Sequence, residues 1–264
     1  MSNSTANLKS LFGAATAAGE LSPKSAALVV IPDYGAQIQA GLGVKVDDVM
    51  ASEVFLASFL IDDSGSIRFA ANSDAVRDGH NLVVDALKDS KQGDGILATN
   101  RYLNGTLLYP FTPIDRAERM TSKNFDPMGG TPLFDASVVA LATVVAKAQE
   151  FLDNGVVART ATLICTDGHD EGSRRATAAD VKRLVDDMLR SERHIVAGMG
   201  VSDGSTDFRR VFGEMGIRDE WILTPGNTPS EVRRAFQVFS RSAVRASQSA
   251  GSFSQAAAGG FGTP

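Results

Sequence analysis

Apolar runs alternate along this chain with segments of helical periodicity. Residues 54–61 are apolar at every position except Ser58, which is typical of a strand covered on both faces of a sheet. A helix is expected to begin near Ser73, because Val76, Val83 and Leu87 recur behind it at helical spacing. Further strands are predicted at residues 95–99, 106–111, 160–166, 194–201 and 221–224, and further helices from Pro132 and at 177–191, 206–215 and 229–245. This alternation predicts a doubly wound α/β fold, with a mostly parallel sheet and helices on both faces.

One edge strand is expected to run antiparallel to its neighbour. The dipeptide Asn104-Gly105 separates the runs 95–99 and 106–111, and Asn-Gly is preferred in tight β-hairpin turns. The two runs are therefore predicted to pair as a hairpin at the edge of the sheet.

The two ends of the chain depart from this pattern. Residues 1–52 contain a short N-terminal helix and, at Ala26 to Ile31, an apolar run that predicts a short strand. Residues 246–264 are rich in Ser, Ala and Gly, and such small residues bury too little surface to fold alone. The chain is therefore divided into an N-terminal extension (1–52), a main domain (53–245) and a flexible tail (246–264).

Composition narrows the classes of function. The net charge of −5 argues against a nucleic-acid-binding protein, which usually carries a basic face. No apolar run reaches the ~18 residues of a membrane span. The single cysteine, Cys165, excludes a disulfide within the chain and suits a reducing compartment. We therefore expect a cytoplasmic protein that binds neither nucleic acid nor membrane.

Polar side chains gather in three loops that follow predicted strands or open a predicted helix. In open α/β sheets, ligands bind outside the carboxyl ends of the strands, so these loops are expected to meet in one crevice. The candidate metal ligands in the three loops are Asp62, Ser64, Ser66, Thr131 and Asp167.

The chemistry of these five side chains favours a hard cation. They offer hydroxyl and carboxylate oxygens, which suit Mg²⁺ or Mn²⁺, and the absence of Cys and His argues against zinc or copper. Two carboxylates roughly balance a divalent charge, so the ion would gain from an acidic ligand brought by another molecule. The sequence predicts a site for Mg²⁺ (or Mn²⁺) that binds a partner and catalyses no reaction.

The same residues resemble a known family. The spacing Asp62-x-Ser64-x-Ser66, the distant Thr131 and the pair Asp167-Gly168 are similar to the metal-ion-dependent adhesion site (MIDAS) of von Willebrand factor type A (VWA) domains. The resemblance covers about residues 53–245. It implies a six-stranded sheet with the metal at its top, held directly or indirectly by these two Ser, the Thr and the two Asp.

A finer resemblance comes from two segments. Residues 129–133 and 163–168 are similar to the bacterial intracellular branch of the family, in particular to the tellurium-resistance-associated type A proteins. This resemblance implies a protein partner that offers an Asp or Glu to the metal, in a stress-response or defence complex. Neighbouring residues are expected to rim the site or to orient a ligand, namely Asp63, Gly130, Gly168, His169 and Asp170.

Two other functions stay open at this point. Asp62-Asp63 after a strand suggests a metal- or aspartate-dependent phosphohydrolase, although aspartyl-phosphate enzymes separate their two Asp by one residue and position 64 is Ser. A structural role in self-assembly would use residues 1–52 and the tail. The sequence leaves the partner, the pathway and the oligomeric state undetermined.

Overall fold

The computed structural model describes residues 2–90, 95–248 and 260–261, and within them six strands form one sheet. The strands are β1 (Glu53–Ile61), β2 (Ile96–Tyr102), β3 (Leu107–Pro113), β4 (Val157–Thr166), β5 (His194–Gly200) and β6 (Ile222–Leu223). Their order is β3-β2-β1-β4-β5-β6. β3 runs antiparallel to β2, and the other neighbouring pairs are parallel. The predicted doubly wound, mostly parallel sheet with one antiparallel edge strand is confirmed.

Helices cover both faces of the sheet. They are α1 (Ser2–Ala17), α2 (Pro23–Val29), α3 (Pro32–Gly41), α4 (Gly65–Phe69), α5 (Ser73–Lys88), α6 (Leu133–Asp153), α7 (Ala178–Arg190), α8 (Phe208–Glu214) and α9 (Pro229–Gln248). α5 and α9 pack closely on one face, where a Cβ atom on Gly79 would lie 2.1 Å from the Phe236 ring. α6, α7 and α8 contact β4 and β5 on the other face.

The central strand and the longest helix are apolar because they have no solvent-facing side. Residues 54–61 of β1 are all buried, since α5 lies over one face of the sheet and α6 over the other. α6 is likewise buried along nearly its whole length, because its outer side is covered by α1 and α3. The hairpin prediction is also confirmed, with Gly105 at the turn in the left-handed region (φ 92°) that glycine tolerates.

The N-terminal extension is helical, and the predicted strand at Ala26 to Ile31 is wrong. Ser22 caps α2 by accepting a hydrogen bond from the Ser25 N–H at 3.3 Å, and Pro23 occupies the first turn. Pro32 then begins α3 directly after Ile31. Each proline begins a helix, so most of the apolar run forms the end of α2 and its last residues connect α2 to α3.

Buried polar contacts hold this extension against the main domain. The Tyr34 hydroxyl donates to Asp135 Oδ1 on α6 at 2.7 Å, and the Ser25 hydroxyl donates to Asp187 Oδ2 on α7 at 2.6 Å. The buried Lys147 ammonium donates to the Val44 carbonyl. The extension therefore packs as an added layer outside α6 and α7.

Part of the predicted tail is structured. Residues 246–248 complete α9, and Phe261 stacks edge-on to Trp221 with ring centroids 5.1 Å apart. Residues 249–259 and 262–264, also assigned to the tail, lie outside the described residues. Across the part of the chain that is described, every helix is too short or too polar to cross a membrane.

Candidate metal centre

Two of the candidate ligands meet because β1 and β4 are adjacent and parallel. Ile61 pairs with Cys165 at the carboxyl ends of these strands, and the Asp62 N–H donates to the Cys165 carbonyl at 2.9 Å. Asp62 and Asp167 therefore leave neighbouring strands at the same edge of the sheet. This is the crevice predicted from the sequence.

Two serine hydroxyls and one carboxylate form the centre of the cluster. Ser64 Oγ lies 2.8 Å from Ser66 Oγ, and the Ser66 hydroxyl donates to Asp167 Oδ1 at 2.7 Å. The Ser64 hydroxyl donates to the same Asp167 oxygen at 3.4 Å. Ser64 lies immediately before α4, so the helix start fixes the direction of both serines.

Thr131 is positioned by the backbone of its loop. The Gly65 N–H donates to the Gly129 carbonyl at 3.1 Å, and the Gly129 N–H donates to the Asp63 carbonyl at 2.9 Å. The Thr131 carbonyl accepts from the Glu171 N–H at 2.9 Å, and the Thr131 residue is buried. The 129–131 loop is thus held between the loop after β1 and the loop after β4.

The carboxylate of Asp62 accepts hydrogen bonds from three donors, one of which is the Asp167 N–H at 3.4 Å. Its Oδ1 accepts from the Ser64 N–H at 2.7 Å, and its Oδ2 accepts from the Thr166 hydroxyl at 2.6 Å. Thr166 was not among the predicted site residues. The signal was its position directly before Asp167 at the end of a buried strand, where a hydroxyl has few partners other than the site.

Three carboxylates are buried in the loops that follow β1 and β4. Asp62, Asp63 and Asp167 are at most 4% exposed, and the ion pairs of the described residues include none of them. Burial raises the pKa of Asp62, and it raises the pKa values of Asp63 and Asp167 to about 6 against the hydrogen bonds that lower them. Buried negative charge of this kind is costly unless it is compensated.

The donor chemistry fits a hard divalent cation. The described residues contain no group of three or more His, Cys, Asp or Glu side chains arranged to hold a metal. A cation at this edge would therefore depend on the hydroxyls of Ser64, Ser66 and Thr131 as well as on carboxylates. Such an all-oxygen set suits Mg²⁺ or Mn²⁺.

The predicted rim residues differ in their contacts and in their distance from the cluster. Asp63 Oδ1 accepts from the Asn104 N–H at 3.1 Å, beside the cluster. Asp170 instead faces the start of α6, where Oδ1 accepts from the Phe134 N–H at 3.1 Å. His169 is exposed, with its Nε2 atom 3.3 Å from Glu171 Oε1. The two rim glycines, Gly130 and Gly168, lie in the loops that carry Thr131 and Asp167.

Two exposed apolar side chains border the cluster, and the sequence analysis did not identify them. Phe69 is 87% exposed and Met128 is 67% exposed. The Phe69 ring passes 3.4 Å from the position of a Cβ on Gly65, between the two serines. Met128 directly precedes the Gly129 that pairs with Ser64. The sequence signal that could have identified them is a large apolar residue within an otherwise polar segment close to the candidate ligands.

The six-stranded sheet and its flanking helices form a VWA-like α/β fold. Sequence comparison adds nothing to this, since no family model and no curated protein matches the chain. Solved structures do match. The pilus adhesin SpaC from Lactobacillus rhamnosus GG is similar with a TM-score of 0.54 at 12% identity, over 75% of this chain and 31% of SpaC. Proximal thread matrix protein 1 from the mussel byssus is similar with a TM-score of 0.51 at 15% identity, over 74% of this chain and 48% of that protein.

A third similar structure is the VWA domain of SpRpn10, with a TM-score of 0.49 at 10% identity, over 70% of this chain and 95% of that domain. The mussel protein has also been solved with zinc in its MIDAS motif. This chain spans about a third of SpaC and about half of the mussel protein. At these identities the likeness shows the fold alone.

Proposed function

We propose that this chain is a metal-dependent protein-interaction module. The observation that carries the proposal is the group of three buried carboxylates, which form no ion pair among the described residues and lie next to two serine hydroxyls that donate to Asp167. Burying like charges together lowers the stability of the metal-free protein, and a divalent cation at this point would offset that cost. A function that requires the cation explains why the residues are arranged this way.

Each residue has a definite part in the proposal. Ser64, Ser66 and Thr131 supply neutral oxygens to Mg²⁺ (or Mn²⁺), and Asp167 supplies a charged one. Asp62, whose oxygens already accept from Ser64 and Thr166, orients the serine loop and contributes charge through water. A cation bound mainly by neutral oxygens keeps a strong attraction for an Asp or Glu carboxylate of another protein.

The proposed setting follows from the finer sequence resemblance. The segments 129–133 and 163–168 support the bacterial intracellular, tellurium-resistance-associated branch, with a partner in a stress-response or defence complex. The free, buried Cys165 is consistent with a cytoplasmic location. Cys165 has no catalytic role in this proposal, because burial raises the pKa of its thiol and keeps this nucleophile neutral.

Calorimetric titration with MgCl₂ and MnCl₂ tests the proposal. Wild-type protein should bind one divalent ion, and Ser66→Ala should weaken binding at least about tenfold, or about 1.4 kcal/mol. Ser122→Ala, at an exposed position that is not among the candidate ligands, is the matched control and should bind as wild type. Equal affinity in Ser66→Ala and Ser122→Ala would place the ion elsewhere and overturn the proposed site.

The interaction role needs a separate readout. Wild-type and Asp62→Ala protein are immobilised, and proteins retained from a bacterial extract are compared in magnesium and in EDTA. A specific partner should be retained by wild type in magnesium only. Retention that persists in Asp62→Ala or in EDTA would contradict a metal-bridged contact. Hydrolysis of p-nitrophenyl phosphate that is lost in Asp62→Asn would instead support the phosphohydrolase alternative.

A further inference from the structure

An apolar rim, formed by Phe69 and Met128, stands beside the candidate metal centre. The Phe69 ring packs against Gly65, which lies between Ser64 and Ser66, so a carboxylate that reaches these serines comes close to this ring. Arg68 joins the two loops, since its Nη1 atom contacts Met128 Sδ at 3.0 Å and Asp126 Oδ1 at 3.2 Å. A partner that reaches the cation is therefore expected to place an apolar side chain next to its acidic one.

At the opposite end of the sheet, acidic side chains lie next to an exposed apolar side chain. Residues 47–50, here called the acidic tip, comprise Asp47, Asp48, Val49 and Met50 and precede β1. Both aspartates are exposed and take part in no ion pair of the described residues. Met50 is 97% exposed.

The distribution of exposed apolar residues strengthens the match. The large hydrophobic side chains exposed in the described residues are Met50, Phe69, Met128 and Val157. Phe69 and Met128 lie at the metal end of the sheet, whereas Met50 and Val157 precede or begin strands at the opposite end. Apolar surface is thus concentrated at the two ends of the strands.

One molecule cannot bring these two ends together. β1 has 9 residues and separates the acidic tip from the serines by about 30 Å at ~3.3 Å per residue. The tip of one molecule can reach only the metal centre of another. Such a head-to-tail contact joins two different surfaces, so it propagates into open chains unless it closes into a ring.

We propose that one partner of this module is a second copy of the same chain, bound head to tail. An aspartate of the acidic tip approaches the cation of the next molecule, and Met50 packs against its Phe69 and Met128. The proposal rests on the proposed function, because it uses the same cation. A head-to-head dimer through Asp126 is less favoured, since Asp126 is already paired with Arg68.

Sedimentation velocity of the full chain over a concentration series, in MgCl₂ and in EDTA, tests this proposal. In magnesium, oligomers should grow with concentration, and EDTA should return the protein to monomer. Met50→Gln and Phe69→Gln should each weaken association about tenfold or more, the factor expected for losing one buried apolar side chain. Met50→Leu keeps the apolar contact and is the matched control.

Mixing the two variants gives the sharper result. Phe69→Gln retains an intact acidic tip and Met50→Gln retains an intact metal end, so an equimolar mixture should stop at a one-to-one complex. Association of Met50→Gln equal to wild type would show that the acidic tip takes no part in the contact and would overturn the proposal. A wild type that binds magnesium calorimetrically but stays monomeric would overturn it too, while leaving the proposed function standing. Association without any magnesium binding would contradict the proposed function.

Discussion

Asp167→Asn should stabilise the metal-free protein, although it removes a proposed metal ligand. Burial raises the pKa of Asp167 from its ordinary 3.8 to about 6. A group whose folded pKa is raised holds its proton more tightly in the folded state, so its destabilising effect grows as the pH rises from about 4 through about 6 and is complete at neutral pH. At about 1.4 kcal/mol per pKa unit, the charged carboxylate costs about 3 kcal/mol at pH 7.

The amide of Asn removes that charge but keeps an oxygen that can accept from Ser66. Part of the gain is offset by the weaker hydrogen bond, so a net stabilisation of about 1–3 kcal/mol is expected. For a chain of this size that corresponds to a rise in Tm of roughly 3–10 °C. Magnesium at one hundred times its Kd should in turn stabilise the wild type by about 2.7 kcal/mol and the variant hardly at all.

Differential scanning calorimetry at pH 7, in EDTA and in MgCl₂, measures both effects. The variant should melt above wild type in EDTA, and the difference should shrink or reverse in magnesium. Asp115→Asn, at an exposed position, should change neither Tm appreciably. A variant that melts below wild type in EDTA would refute the idea that charge burial is costly here. Equal stabilisation of both proteins by magnesium would show that the ion does not contact Asp167.

Three further outcomes are expected. Burial lowers the pKa of His80 to about 4 and that of His194 to about 3. Between pH 6.5 and 4 only the unfolded chain binds a proton at these histidines, so each should lower the free energy of unfolding by about 1.4 kcal/mol for every pH unit of acidification. In urea unfolding, the stability of His80→Asn should therefore depend less steeply on pH than that of wild type. Phe261→Ala should uncover the single tryptophan, Trp221, and increase quenching of its fluorescence by iodide, with no change if Phe261 is undocked in solution. Tyr34→Phe should lower the free energy of unfolding in urea by about 1 kcal/mol, because it removes the hydrogen bond from the Tyr34 hydroxyl to Asp135 on α6. An unchanged free energy of unfolding would show that water replaces this hydrogen bond without loss.

The sheet could be predicted because its strands are buried on both faces. The run at 54–61 has Ser58 as its one polar residue, and a segment of that length with turn residues after it is difficult to place except as a central strand. The candidate ligands followed from the same fact, since the polar residues that directly follow β1 and β4 must emerge at one edge of a parallel sheet. Asp62, Ser64, Ser66 and Asp167 do lie together there.

What could not be predicted depends on contacts distant in the sequence. The run from Ala26 to Ile31 is apolar because its helices pack against α6 and α7, and its periodicity is too short to separate helix from strand. The capping contacts that fix α2 include Asp187, far along the chain. In the same way, the sequence predicts that Asp170 rims the site, but it could not predict that this carboxylate accepts from the Phe134 N–H at the start of α6, where N–H groups have no partner within the helix.

The N-terminal extension limits where a partner can bind. Because α1 and α3 cover α6, and α2 covers part of α7, this side of the domain presents helices that are already packed. α5 and α9 cover the other face, where the Phe236 ring fills the space over Gly79. The exposed large apolar side chains of the described residues accordingly lie at the two ends of the sheet, with Phe69 at the end of the short helix α4, and not on the outer faces of α5, α6, α7 or α9. A partner that uses the cation must then approach along the strand axis, across Phe69 and Met128, so substitutions on the outer surfaces of α5 or α7 should leave metal-dependent binding unchanged.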